Sequence, residues 1–469
     1  MNSKLNLIVN KAKQDSKLRF GALVHHINEE NLLQCYQELA GNKACGIDRV
    51  TKEEYGKDLK GNISLLIQKM KAKKYQPQPT RRVYIPKPGK EEKRGLGISA
   101  FEDKLVQLMI KKILEAIFEV DFLSCSYGFR PGLSCHDAIS RLDEVIIKRN
   151  VNYVVEVDIK KFFDNISHFW MERCLKQRIS DPNMLWLIRR FLKAGIMEAG
   201  KYQATDQGSQ QGNIASPILA NIYMHYVIDL WFEKTIKPKC KGYAELIRYC
   251  DDYVVCFAIK SEAENFMEIM KARLKKFNLE ISPDKTAIIR FGKQPWCDWK
   301  RRKGKKPGVF NFLGFTHFCG SSKHGNFIMG HKTSKISFQS KLQVIKKWIK
   351  QIYSRVPLKD WWKVLKAKLL GHYRYFGISG NFVSINKYYD KVKCLVFKMI
   401  NRRSQKKSMT RSMFNKYLQI NPLPKPQIYY NLYKWSFNNK CFIEKPCVGK
   451  LQVRLQQCCK QVRIYSNYL

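Results

Sequence analysis

No stretch of this 469-residue chain approaches the roughly 18 consecutive apolar residues of a membrane span, and its start, MNSKLNLIVNKAKQD, carries no apolar signal core. An intracellular, cytoplasmic protein with no membrane partner is therefore expected. No two cysteines form a C-x-x-C pair and their total, 15, is odd, so neither a zinc ribbon nor a disulfide framework is favoured. Most of these thiols should be small buried apolar groups. Repeats and low-complexity tracts are also missing. Acidic residues are scarce: 39 Asp plus Glu face 86 Lys plus Arg, a formal net charge of +47. Such a charge repels itself unless a polyanion neutralises it, which makes nucleic acid the first partner expected and a membrane surface the second. What is plentiful is core material, with 45% hydrophobic and 12% aromatic residues, in a length that allows roughly two to four domains.

The first 45 or so residues read as helical and end at NKACGID, where Gly46 can break a helix. A helix over 59–74 gives way to YQPQPTRRVYIPKPGKEEKRGLGIS, whose four prolines and three glycines predict a basic hairpin. In VNYVVEVDIKKFFDN the odd positions Val151, Tyr153, Val155 and Val157 are apolar, while Asn152, Glu156 and Asp158 are polar. That alternation predicts a strand with one face in a core and one toward a cleft, ending at Asp158. Helices are expected at about 168–178, 182–194 and 216–236. YVVCFAI, apolar on both faces, predicts a central strand covered by helices. Ser261 with Glu264 predicts a capping box for a helix over 262–277. Residues 293–308 read as a basic connection and FNFLGFTHF as one strand. In HFCGSSKHGNFIMGH, the spacing of His317, Cys319, His324 and His331 matches no standard zinc pattern, so a plain hairpin loop is expected. Between His331 and Arg411 stand 21 Lys plus Arg and only two acids, Asp360 and Asp390, on helical patterns such as Leu342, Ile345, Trp348, Ile349 and Ile352. One stripe should pack inward and leave the other faces cationic.

Against this basic background, RYCDDYVVCF places Asp251 and Asp252 side by side between two strand-forming runs. A turn alone would account for an exposed pair. The flanking arms are too apolar for an exposed hairpin, however, and a second strand also ends in a carboxylate, Asp158. Three carboxylates at strand ends repel one another unless cations neutralise them, and Mg²⁺ takes oxygen ligands of this kind. Two such ions clamp a phosphoryl transfer. The 158–251 spacing leaves room for the helices of a βαβ-type crossover, and the chemistry points to nucleotide polymerisation.

YCDD at 249–252 resembles the Y-x-D-D box of reverse transcriptases, and DIKKFFDNI at 158–166 their first carboxylate motif. YGFRPGLSCHDAI, GSQQGNIASPILANIY, FLGF and NRRSQKKS resemble, more narrowly, the reverse transcriptases encoded by group II introns, with their fused maturase region. The likeness runs from about residue 40 to about 455. It implies an α+β right-hand polymerase: fingers and palm, an antiparallel sheet packed on helices, with an α-helical thumb and maturase domain. Asp158, Asp251 and Asp252 would hold two Mg²⁺ ions, with Mn²⁺ a possible substitute. Phe163 would be the steric gate against a 2′-hydroxyl, Lys87 and Arg94 would hold the incoming triphosphate, and Gln211 would lie against the nucleotide. Lys285 would protonate the pyrophosphate, and Phe312, Leu313, Gly314 and Phe315 would support the primer end. Arg130 would brace the fold. Arg402, Arg403, Lys406 and Lys407 would contact RNA phosphates, and Tyr373, Tyr375 and Phe376 could stack on bases or pack as core.

The departures are Gln210 in place of a proline before Gln211, Ser282 where Asn is common near Lys285, and Cys250 in place of alanine. The implied division is an N-terminal helical extension (1–45), fingers and palm (46–325), a basic thumb/maturase region, or domain X (331–405), and a C-terminal maturase remainder (406–469). Neither paired Cys motifs nor a His-Asn-His pattern marks an endonuclease domain there. The expected function is RNA-directed DNA polymerisation that also assists splicing and intron mobility. Its partners would be intron RNA, an RNA or DNA template-primer, deoxynucleoside triphosphates and target DNA. A domesticated reverse transcriptase in defence or repair, or a splicing-only RNA-binding maturase, fits the same residues. Oligomeric state is not legible in the sequence.

Overall fold

The computed structural model describes residues 3–86, 92–198, 200–209, 211–402 and 409–432. In chain order the strands are β1 (Thr80–Pro86), β2 (Lys93–Ile98), β3 (Tyr153–Val157), β4 (Ile196–Glu198), β5 (Lys201–Gln203), β6 (Ala244–Tyr249), β7 (Asp252–Phe257), β8 (Ala287–Arg290), β9 (Val309–Phe312), β10 (Phe315–Ser321) and β11 (Phe327–Thr333). They form three sheets, ordered β2-β1-β4-β5, β6-β7-β3-β8 and β11-β10-β9.

The second sheet is the centre of the molecule. β3 runs antiparallel to β7 and to β8, and β6 runs antiparallel to β7. β3 and β6 are therefore parallel, with β7 inserted between them, so the expected crossover exists in split form rather than between neighbouring strands. Period-two alternation sends Val155, Val157, Tyr253, Val255 and Phe257 into the largest core, shared with the helices Phe101–Phe118, Ser216–Met224 and Lys260–Lys276. Val154, Ile247, Val254 and Cys256 point the other way, against the helix Cys135–Lys148 and the β9–β11 sheet. Covered on both faces, β7 has no place for a polar residue between Tyr253 and Phe257, which is why its sequence is apolar throughout.

The expected basic hairpin is the β1–β2 pair, whose tip at 87–91 lies outside the described residues. Four local expectations fail for identifiable reasons. FNFLGFTHF is a hairpin, because Leu313 (φ 50°) and Gly314 (φ 78°) turn the chain between β9 and β10. Ser261 does not cap a helix: the helix starts at Lys260 after Ile259, and Glu264 pairs with Lys260 Nζ at 2.9 Å. Lys293–Lys300 is helical because Pro295 and Trp296 bury there and Asp298 pairs with Arg290 at 2.6 Å. The helix expected over 216–236 is α-helical only to Met224 and continues as wider π turns at His225–Asp229 and Phe232–Ile236.

After β11 the helices Lys335–Ile352, Leu358–Phe376, Phe382–Ile400 and Arg411–Ile420 surround a separate core that includes Trp361, Leu365, Leu369, Tyr373, Phe376 and Tyr388. Tyr373 and Phe376 are thus packing groups, whereas Tyr375 is partly open. Among the described residues no helix is long and apolar enough to cross a membrane.

Candidate active site

Tyr249 pairs with Asp252, which leaves Cys250 and Asp251 as a two-residue turn between β6 and β7. Cys250 has φ 61°, a left-handed conformation that glycine adopts without cost and other residues do not. The surroundings impose it. Beneath the turn the fully buried Arg248 guanidinium donates to Asp229 (2.6 and 2.7 Å), Asn221 Oδ1 (3.1 Å), Ser126 Oγ (2.7 Å) and the Cys250 carbonyl (2.9 Å). All five of its donors face acceptors inside the protein, and Asp229 matches its charge at zero exposure. Gly128 lies so close that a Cβ there would meet Cys250 N at 2.5 Å, and Asn221 Nδ2 donates to the Gly128 carbonyl at 2.6 Å. YGFRP thus packs beneath the turn, while Arg130 braces its own loop through Glu119 and the Leu123 and Ser126 carbonyls.

Val157 pairs with Tyr253, so Asp158, the next residue, stands across from Asp252. Ser282 N donates to the Asp158 carbonyl at 2.7 Å, and Lys285 Nζ bonds Asp158 Oδ2 at 2.7 Å. Burial raises the Asp251 carboxyl above its ordinary range, and the Asp158 charge adds to this. Asp252 opens to solvent, yet protein crowding together with Asp251 and Asp158 pushes it up to about 7, with Lys285 and Arg94 opposing. Glu156, on the same strand, is also pushed up to about 7, by burial first and then by Asp158. These carboxylates feel one another, and a divalent cation with its preference for oxygen donors would relieve exactly that repulsion in kind. Among the described residues, no three His, Cys, Asp or Glu side chains stand close enough to hold an ion as they are. Asp158 faces Lys285 rather than a shared ion position.

The remaining predicted residues fall around this point. Phe163 is half-buried against the main core, its ring 5.3 Å from Phe162, and its carbonyl accepts from Ser209 N at 2.7 Å. Gln211 leans on β2, its carbonyl accepting from Gly97 N at 2.7 Å; Gly212 (φ 116°) comes so near Gly97 that a Cβ would meet its carbonyl at 2.5 Å. Arg94, exposed on β2, is near enough to lower both Asp251 and Asp252. Arg81, on β1, donates to the Cys45 carbonyl. The Leu313–Gly314 turn is fixed to the following helices: Tyr375 Oη donates to the Leu313 carbonyl (3.1 Å) and Ser334 N to that of Gly314 (3.0 Å). Phe312 and Phe315 are buried, so the turn backbone is its accessible part. Arg402 is exposed after Phe382–Ile400, far along the chain from the carboxylates. Lys87, Gln210, Arg403, Lys406 and Lys407 lie outside the described residues.

The His/Cys cluster belongs to the β10–β11 hairpin. His317 and His331 are cross-strand partners with Nδ1 atoms 3.0 Å apart, His331 Nε2 lies 3.3 Å from Asp143, and His317 Nε2 meets the Phe312 carbonyl at 3.4 Å. All three side chains are buried, while His324 sits exposed near the hairpin tip. Sequence reasoning missed this group's role in packing, and it missed Arg248 and Asp229 entirely. The signal for Arg248 was present: an arginine inside an otherwise apolar strand requires a buried partner.

With this geometry in place, residues 85–317 match the family described as reverse transcriptase (RNA-dependent DNA polymerase), so this part of the chain is a reverse transcriptase domain with the palm and fingers fold. The group II intron-encoded protein LtrA of Lactococcus lactis subsp. cremoris is 42% identical over 193 residues, 40% of this chain and 31% of that protein. Protein YkfC of Escherichia coli K12 is 29% identical over 311 residues, 59% of this chain and 81% of that protein. Nuclear intron maturase 1, mitochondrial, of Arabidopsis thaliana is 29% identical over 114 residues, 24% of this chain and 16% of that protein. The chain is thus similar to group II intron-encoded proteins and intron maturases, and the resemblance drawn from its motifs is borne out. The match spans only 31% of the length of LtrA.

Proposed function

We propose that the chain is an RNA-directed DNA polymerase of the group II intron type, which binds its intron RNA, assists splicing and copies that RNA into DNA. The observation that carries this reading is the convergence of Asp158, Asp251 and Asp252 at one end of β3 and β7, with Arg94 and Gln211 presented by the adjacent sheet and loop. Asp158, Asp251 and Asp252 would hold a pair of Mg²⁺ ions, which when bound activate a primer hydroxyl and stabilise pyrophosphate. Arg94 and Lys87 hold the triphosphate by charge-assisted hydrogen bonds. Gln211 seats the nucleotide, Phe163 excludes the 2′-hydroxyl, and Lys285 gives a proton to the leaving pyrophosphate. The turn at Leu313–Gly314 supports the primer end.

In this reading residues 46–325 are fingers and palm, and residues 1–45 are an N-terminal extension. The helices from Lys335 to Ile400 are the thumb, with the maturase segment beyond. Their cationic faces grip the phosphates of template and primer without reading sequence, and Arg402, Arg403, Lys406 and Lys407 contact intron RNA. Template-primer, deoxynucleotides and target DNA complete the partner set.

Primer extension on an RNA template with Mg²⁺ tests the reading. Wild type extends with deoxynucleotides, whereas Asp251→Ala loses at least about a thousandfold in rate while holding RNA as tightly. Undiminished extension by the purified variant would remove the carboxylates from the chemistry.

A further inference from the structure

The helix Pro182–Leu192 separates two cavities, of about 370 and 210 Å³, and Arg189 and Lys193 line both. Together they make one groove across that helix. It lies beside the β4–β5 hairpin, and β5 is the outermost strand of the sheet whose opposite edge, β2, carries Arg94. The larger cavity, which Tyr202 lines, thus lies at the opposite edge of that sheet from Arg94.

Its lining combines aromatic faces with cations. In the larger cavity stand Trp186 and Tyr202, with Gln76 at the rim. Arg190 lies over the Trp186 ring at 4.8 Å. Tyr202 is 55% exposed, and its ring rests on Gly195 (φ 78°), where a Cβ would meet it at 2.4 Å. The glycine thus lets an exposed tyrosine lie flat beside the cavity. In the smaller cavity Phe169 is 62% exposed, with Arg173 over its ring at 5.1 Å. Of the charged residues lining the groove, Arg189, Arg190 and Lys193 are cations and Glu172 is the anion, which leaves two positive charges in excess. Glu172 already binds Arg189 and Lys176, each at 2.8 Å.

Aromatic side chains set among cations, Tyr202 and Phe169 exposed and Trp186 half-buried, suit a strand whose bases are unpaired, since each base offers a face to stack and each phosphate a charge to neutralise. A cavity of this size admits one nucleotide rather than a stacked pair of bases. A duplex, whose bases are already stacked, leaves such rings idle. We propose that the groove binds a single-stranded RNA segment, one base lying against Trp186 and Tyr202 and the adjoining phosphates against Arg190 and Lys193. The proposal rests on the reading of this chain as an RNA-binding polymerase only for the choice of RNA over DNA.

A 12-nucleotide oligouridine carrying 5-iodouridine tests it on the full chain. Irradiation is expected to cross-link the strand within residues 182–203. Tyr202→Ala with Lys193→Ala should weaken oligouridine binding about tenfold and lower the salt slope by about one, while Tyr202→Phe keeps wild-type affinity. Primer extension on a short primed template should be unchanged in these variants. Cross-links confined to other segments, unchanged affinity in the double variant, tighter binding of the deoxy strand, or equal displacement by a duplex would each overturn the proposal. A wild-type protein that cross-links here but extends no primer would support the groove and sink the polymerase reading alone.

Discussion

The Cys250–Asp251 turn and the helices after Ser334 carry charge in opposite ways. At the turn the charges are few and individually placed: Arg248 has Asp229 in the interior and Asp158 has Lys285, while Asp251 and Asp252 are left to raise one another. On the helices they are many, mostly outward, and nearly all of one sign, with a core of Trp, Leu and Tyr beneath them. The first pattern fixes an atom's position; the second maintains a field over a surface. A single change should therefore be ruinous in one region and modest in the other.

The largest effect expected on stability is at Arg248. Arg248→Met leaves Asp229 charged and enclosed without its partner, a loss of about 3 to 5 kcal/mol, and adding Asp229→Asn should restore part of it. Chemical denaturation of the two variants decides this; equal stability of Arg248→Met and wild type would break the contrast. Phe163→Val should admit ribonucleotides, narrowing discrimination by about 10- to 100-fold in single-nucleotide incorporation. Unaltered discrimination would take the gate from Phe163. Neutralising Arg402 with Arg403 should weaken RNA binding severalfold and flatten the slope of log affinity against log salt by about two, with extension on a short primer-template retained. Selective loss of extension would mean that this end of the molecule is as exacting as the turn.

The smallest effect concerns pH. His372 stacks on Tyr388 at 3.6 Å, and burial, aided by Lys341, holds it down to about 3. Unfolding restores an ordinary value near 6.5, so the unfolded chain binds a proton that the folded one refuses. Its contribution is complete above that value and is lost as pH falls from about 6.5 toward 3. The stability of His372→Gln relative to wild type should accordingly improve by about 2 kcal/mol between pH 7 and pH 5. A gap that stays constant across that range would mean that the ring takes up its proton in the folded state.

The sequence disclosed the strand that runs up to Asp158 and the one that begins at Asp252 because they are steeply patterned: β3 alternates and β7 is apolar from Tyr253 to Phe257. The hairpin at 196–203 went unseen because its strands are three residues each and largely open, so their pairing rests on backbone contact with β1 rather than on a buried pattern. Ser261 and Glu264 had the right spacing, but Glu264 found a closer cation. Glu262 is used elsewhere, accepting from Lys241 N and Gly242 N. The Arg248 network draws on Ser126, Asn221 and Asp229, residues up to 122 positions away, and only folding reveals such a set. Motif spacing locates groups that do chemistry more readily than the groups that aim them.

The paired imidazoles of β10 and β11 impose an accounting of hydrogens. Because the Phe312 carbonyl can only accept, His317 must carry its hydrogen on Nε2, which leaves its Nδ1 bare. His331 then supplies the hydrogen between the two rings from its own Nδ1, and its Nε2 turns a lone pair toward the Asp143 carboxylate. A hydrogen shared between that nitrogen and that oxygen would remove the opposition of their lone pairs. The strand register, by setting two rings opposite each other, thus ties the tautomer of one to that of the other.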